Sequence, residues 1–154
     1  MKIEIDDLTR PAIHALLHEH LRSMHALSPP GSVHALDLES LRSPEITFWS
    51  AWEGPLLLGC GALMELSRTH GEVKSMRTHE AQRRTGVGRA LLMHIIATAR
   101  ARGYDRLSLE TGSMAGFEPA RRLYASAGFT ETGPFGAYVE DPNSTFMTLK
   151  LSPG

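Results

Sequence analysis

The run from Met76 to Gly88 constrains this chain more than any other stretch. It reads as the end of a strand, then a basic turn punctuated by glycine, then the start of an amphipathic helix. The apolar positions Val87, Leu91, Leu92, Ile95, Ile96 and Ala99 fall on one helical face, and Arg100, Arg102 and Gly103 close it. At such a junction the first helical amides lack internal partners and the macrodipole makes that end positive. Gly86 and Gly88 let a ligand approach the backbone, and Arg83, Arg84 and Arg89 add charge. Those properties suit a diphosphate. No Gly-Lys-Ser/Thr follows, so the turn is not a Walker loop. Leu91 stands where a dinucleotide fingerprint starting at Gly86 needs its third glycine.

Around this junction the spacing predicts a mixed sheet carrying helices. A helix is expected over Ile13 to Met24 and a shorter one near Asp37 to Arg42. Strands are expected over Glu45 to Trp52 and Pro55 to Leu66, the latter interrupted by Gly59 and Gly61. Gly54-Pro55 joins these two as a hairpin, and Glu72 to Arg77 alternates as the next strand. Beyond the central helix, Arg106 to Glu110 alternates as a strand. Pro119 opens a helix with Ala120, Leu123, Tyr124 and Ala127 on its buried stripe. Phe129 to Glu131 and Thr145 to Leu151 complete the sheet. The order, with a first strand at the N-terminus, is β-α-α-β-β-β then α-β-α-β-β, an α/β (α+β) class with helices on the sheet faces.

A length of 154 residues suits a single domain. The net charge of −1 gives no global attraction for nucleic acid, although the segment from Lys74 to Arg106 is locally basic. The acidic N-terminus, the absence of a long apolar stretch and the single Cys60 lead us to expect a cytoplasmic protein without membrane contact. Cys60 reads as packed core. His14 and His18 share a helical face, but two ligands do not make a metal site, and His79-Glu80 lacks the second histidine of a zincin motif. No metal is expected.

The run Arg83 to Leu92 resembles the acetyl-CoA signature of the GNAT N-acetyltransferases. A second landmark follows in the right order: Tyr124, four residues before Gly128-Phe129. The resemblance extends over nearly the whole chain and implies a twisted, mostly antiparallel sheet of six to seven strands. It also implies that the strand ending at Met76 splays from Arg106 to Glu110, with pantetheine between them. Backbone groups of Met76, Arg77 and Thr78 would meet the pantetheine amides, and an N–H near Met76 would polarise the thioester carbonyl. The turn of Arg83, Arg84, Thr85, Gly86, Val87, Gly88 and Arg89 would hold the pyrophosphate. Tyr124 would protonate the departing thiolate.

Direct transfer to an amine needs a route for proton removal, because an alkyl amine with a pKa near 10.4 is neutral in roughly one molecule in a few thousand at pH 7. Glu72 is the first candidate for that role and Glu110 the second. Phe117 stands where many members of the family carry an Asn toward the pantetheine arm. The acceptor would lie between the loops His25 to His34 and Thr132 to Asn143. The expected activity is acetyl-CoA-dependent N-acetylation of a small-molecule amine. The alternatives are a protein N-terminal or lysine acetyltransferase and a non-catalytic acyl-CoA sensor. The family also suggests a homodimer.

Overall fold

The computed structural model describes residues 1–79 and 85–151. Strand β1 (Lys2–Ile5) leads into helix α1 (Pro11–Leu27), which starts at a proline whose missing N–H costs nothing in a first turn. A short α2 (Leu38–Leu41) follows, capped by the Asp37 carboxylate, which accepts from the Ser40 N–H at 2.8 Å. Then come β2 (Ile46–Glu53), β3 (Leu56–Glu65) and β4 (His70–Thr78). The second half holds α3 (Val87–Ala101), β5 (Arg106–Gly112), α4 (Glu118–Ser126), β6 (Thr130–Thr132) and β7 (Ser144–Lys150).

These strands form one seven-stranded sheet in the order β1-β2-β3-β4-β5-β7-β6. Every neighbouring pair is antiparallel except β4 and β5. The expected strand count and mixed, mostly antiparallel character are therefore what the chain adopts. The apolar residues divide into two clusters, one per sheet face. On one face α1 and α2 bury Ile13, Leu16, Leu17 and Leu41 against Phe48, Trp52, Cys60 and Ala62. On the other, α3 and α4 cover Trp49, Leu63, Val73 and Leu109. The six predicted apolar positions of α3 are all buried, and each large one contributes about 1.5–3 kcal/mol relative to exposure.

The sheet departs from the sequence reading in β3. Gly59 and Gly61 do not interrupt the strand, which runs unbroken through both. A Cβ at Gly59 would lie 2.8 Å from the Arg77 carbonyl and 3.2 Å from Val87, so this glycine permits close packing. Between Cys60 and Ala62 the register with β4 slips, and in the extra length of β4 Ser75 takes φ +55. This bulge is the main irregularity in the middle of the sheet.

The parallel pairing of β4 with β5 covers only His70, Gly71 and Glu72 against Arg106, Leu107 and Ser108. Both strands continue well past that point. From Val73 onward, β4 has no ladder partner on its β5 side, and the two strands splay. The gap leaves peptide groups available to a ligand.

Candidate active site

A cleft opens where the strands part. β4 contributes Glu72, Lys74, Ser75 and Met76 to its lining, β5 contributes Glu110 to Gly112, and α4 contributes Ala120 and Tyr124. Helix α1 covers it with His20 and Met24, while Ser32 to Ala35 and Tyr138 close the remaining sides. The loops predicted to frame an acceptor thus both reach the cleft. They also touch each other, since the Ser32 hydroxyl donates to Asp141 Oδ2 at 2.6 Å.

Glu72 and Glu110 face this space from neighbouring strands. Glu72 is buried and doubly held at one oxygen: Tyr138 donates its hydroxyl to Oε2 at 2.6 Å, and the Lys74 ammonium lies 3.1 Å from the same oxygen. Lys74 also donates to the Tyr138 oxygen at 3.1 Å, closing a three-membered cluster. Alternation along β4 places residues 72 and 74 on the same face, so the ion pair follows from strand periodicity. Tyr138 arrives on the loop between β6 and β7. It packs edge-on against His34 and Phe135 and at a tilt against Phe146, which hold its ring in place. Burial and the adjoining Glu72 charge push its phenol well above the ordinary value.

Among the described residues Glu110 has no equivalent cation paired with it. Burial holds its carboxyl above the usual range, against the pull of the Ser144 hydroxyl first and of His34 and Lys74 after it. Tyr124 lies on the other side of the cleft, 7% exposed, with its ring against Phe129. Its hydroxyl has no hydrogen-bond partner among the described residues. Burial, with the Glu110 charge second, raises its pKa, so the phenol stays protonated and able to donate.

The residues predicted to meet coenzyme A are distributed along one line. Met76, Arg77 and Thr78 form the free end of β4 beyond the splay. The Arg77 side chain turns the other way, to Glu19 on α1 at 2.9 Å, so only its backbone faces the gap. Thr85 and Gly86 form the turn into α3, and Gly86 is the N-cap at φ +89 with open space where a Cβ would stand. The amides of Val87, Gly88 and Arg89 follow, and the first helical bond is the Ala90 N–H to the Gly86 carbonyl. Arg89 reaches Ser126 on α4 at 3.0 Å. Arg83 and Arg84 lie outside the described residues. An anion at this turn would meet the N–H groups of Val87, Gly88 and Arg89, which have no intrahelical partner among the described residues, and the positive end of a 15-residue helix, an arrangement that fits a pyrophosphate.

Phe117 fills the position of the family's asparagine and is buried against Gly112. Cys60 is fully buried, donates to the Ser75 carbonyl at 3.3 Å, and has its thiol pushed up to about 12 by burial. Among the described residues no group of three or more His, Cys, Asp or Glu is placed to hold a metal ion, and no helix is long and apolar enough to cross a membrane. His14 instead contacts the Leu8 carbonyl at 2.6 Å.

Sequence reasoning placed Tyr138 near the acceptor but did not give it a partner, and it missed Lys74, His20 and Ser75. For Lys74 the two-residue spacing from Glu72 was a usable signal. His20 and Ser75 carried none, because one depends on how α1 docks and the other on the bulge.

The acetyltransferase (GNAT) family profile matches residues 13–129. An uncharacterised N-acetyltransferase of Bacillus subtilis (strain 168), YsnE, is 63% identical over 151 residues, covering 98% of this chain and 100% of the relative. Another from Escherichia coli (strain K12), YedL, is 50% identical over 149 residues, covering 97% and 94%. Among solved structures, an aminoglycoside 6'-N-acetyltransferase complexed with coenzyme A superposes with a TM-score of 0.74 at 17% identity, covering 100% of this chain and 99% of that one. That likeness is one of fold. The match over most of the sequence, together with the splayed strands and the glycine turn into α3, makes this chain a member of the acetyltransferase (GNAT) family.

Proposed function

We propose that the protein is a single-domain enzyme that transfers an acetyl group directly from acetyl-CoA to the amine of a small molecule. The observation that carries this reading is the cleft itself. It joins a strand gap with unpaired peptide groups, a buried protonated tyrosine, and two carboxylates beneath loops tied to each other. The family supplies the donor class, and the coenzyme bound to the aminoglycoside enzyme is of the kind this gap would take. Loops pinned over the cleft favour a compact acceptor over an extended peptide.

In this reading the pyrophosphate lies on the turn from Thr85 to Arg89 and the pantetheine lies along Met76 to Thr78. The acceptor ammonium enters beside Glu110, whose raised pKa suits a proton acceptor. Glu72, held by Lys74 and Tyr138, supplies fixed negative charge. The neutral nitrogen attacks the thioester carbonyl carbon, and an N–H near Met76 stabilises the oxyanion. Collapse breaks the C–S bond as Tyr124 protonates the sulfur. The ammonium sheds two protons in all: one is returned to the tyrosinate and the other leaves to solvent. Direct transfer needs no acyl-enzyme, and Cys60, the one cysteine of the sequence, is fully buried.

Calorimetric titration with acetyl-CoA and CoA, alongside Gly86→Glu, tests the donor site. The expected result is micromolar binding that the variant loses, followed by thiol release with an amine panel. Absence of binding to the wild-type chain would refute the enzyme reading.

A further inference from the structure

The acceptor side of the cleft carries hydrogen-bonding groups that an amine alone does not use. His20 Nδ1 and Ser75 Oγ are buried and have no hydrogen-bond partner among the described residues. The two residues are 7% and 8% exposed, and both line the cleft. Unpaired buried polar atoms are rare, and two bordering one cavity mark a place where a ligand group is received. Ser75 is further set apart by its φ of +55 at the bulge, a conformation that sites of this kind tolerate for function.

Lys74 follows the same logic. Its ammonium has three N–H groups, of which Glu72 and Tyr138 take two. The third remains, on a side chain only 8% exposed. Behind His20 stands the guanidinium of Arg77, paired with Glu19. Burial and that cation keep the imidazole uncharged, with its pKa lowered to about 4, so its open Nδ1 donates in the Nδ1–H tautomer, the one a carboxylate would select. The wall formed by Lys74, Ser75 and His20 is therefore rich in donors, while Glu110 is an acid on the neighbouring strand.

We propose that the acceptor is an amino acid-like zwitterion, whose carboxylate is received by Lys74, Ser75 and His20 while its amine lies beside Glu110. This rests on the acetyltransferase reading above and names the substrate class for that same cleft. A plain amine would leave the donors unpaired, and sites built to hydrogen-bond a ligand group discriminate strongly against analogues lacking it. The rings of Tyr138 and His34 also line the cleft, and aromatic pairing suits a side chain carrying a ring.

The test compares matched pairs that differ only in the carboxylate: phenylalanine with phenethylamine, and tryptophan with tryptamine. Each is titrated calorimetrically into the full chain, with and without CoA, and assayed by thiol release from acetyl-CoA. The amino acid of at least one pair is expected to bind roughly tenfold or more tightly and to be the better acceptor by a similar factor. Ser75→Ala and His20→Phe should each shrink that ratio severalfold while leaving CoA affinity unchanged, a selectivity change that mere loosening of the fold would not produce. Lys74 is left in place because its removal strands Glu72. Equal or tighter binding of the plain amines, or a ratio untouched in both variants, overturns the inference while leaving acetyl transfer intact. Failure to bind acetyl-CoA overturns the enzyme reading, and the titrations without CoA still decide whether the wall prefers a carboxylate.

Discussion

Ser32 and Asp141 are 109 residues apart in sequence, yet the serine hydroxyl meets the carboxylate at 2.6 Å. The contact joins the loop after α1 to the loop before β7, the two segments that bound the acceptor end of the cleft. Ser32→Ala should therefore raise the KM for the amine a few-fold. The KM for acetyl-CoA, which depends on the far end of the cleft, should stay the same. Steady-state kinetics with each substrate varied in turn checks this.

Tyr124→Phe removes the proposed proton donor without opening a cavity. Turnover should fall by about 10²-fold or more, the usual scale for loss of a general acid. CoA affinity by calorimetry should barely change. An unchanged turnover would remove the tyrosine from the reaction.

Glu110 must be deprotonated to accept a proton, and burial raises its pKa above the ordinary carboxylate value of 4.5. Activity should rise with pH through that elevated value. Glu110→Gln should lower kcat/KM by about 10² and abolish this acid limb. The pH profile of kcat/KM for the two proteins is the measurement.

Glu72 and Lys74 are both buried, so each depends on the other. Lys74→Met should cost roughly 3–5 kcal/mol in a chemical-denaturation experiment, because it leaves a buried carboxylate uncompensated. Lys74→Met combined with Glu72→Gln should recover a large part of that loss. Equal destabilisation by the single and double variants would mean the pairing is not what holds them.

His20 links pH to stability. Its folded pKa of about 4 lies below the ordinary value of 6.5, so the unfolded chain takes up the proton first. The stability associated with the neutral ring is present above pH 6.5 and is lost as pH falls toward 4. The span amounts to roughly 3 kcal/mol at full development. His20→Phe should flatten the stability curve across that window, as read by denaturation midpoints at several pH values.

Much of this architecture was legible in local pattern. The apolar spacing from Val87 to Ala99 located α3 to within a few residues, because a single buried face dictates a 3.6-residue period. Gly86 and Tyr124 stood out because backbone geometry and motif spacing are sequence-local. Glu72 and Glu110 could be nominated, with Glu72 placed first, but their surroundings could not be read. The difference lies in Lys74 and Tyr138, and Tyr138 comes from a loop more than sixty residues further on. The bulge at Ser75 was invisible for a related reason: a register slip is a property of two strands together. Gly59 was misread as a break because a close approach by Arg77 and Val87 leaves no trace in its own neighbourhood.

The thiol of Cys60 gives the bulge a built-in chemical reporter. It is the only cysteine in the chain, it is completely enclosed, and its hydrogen bond ends on the Ser75 carbonyl. A thiol pushed up to about 12 is almost wholly protonated near neutrality and reacts with an alkylating reagent only after β3 and β4 part. The labelling rate of the native protein therefore counts the openings of that strand pair. A ligand that holds the bulge closed would be seen as a slower clock, with no probe attached to the molecule.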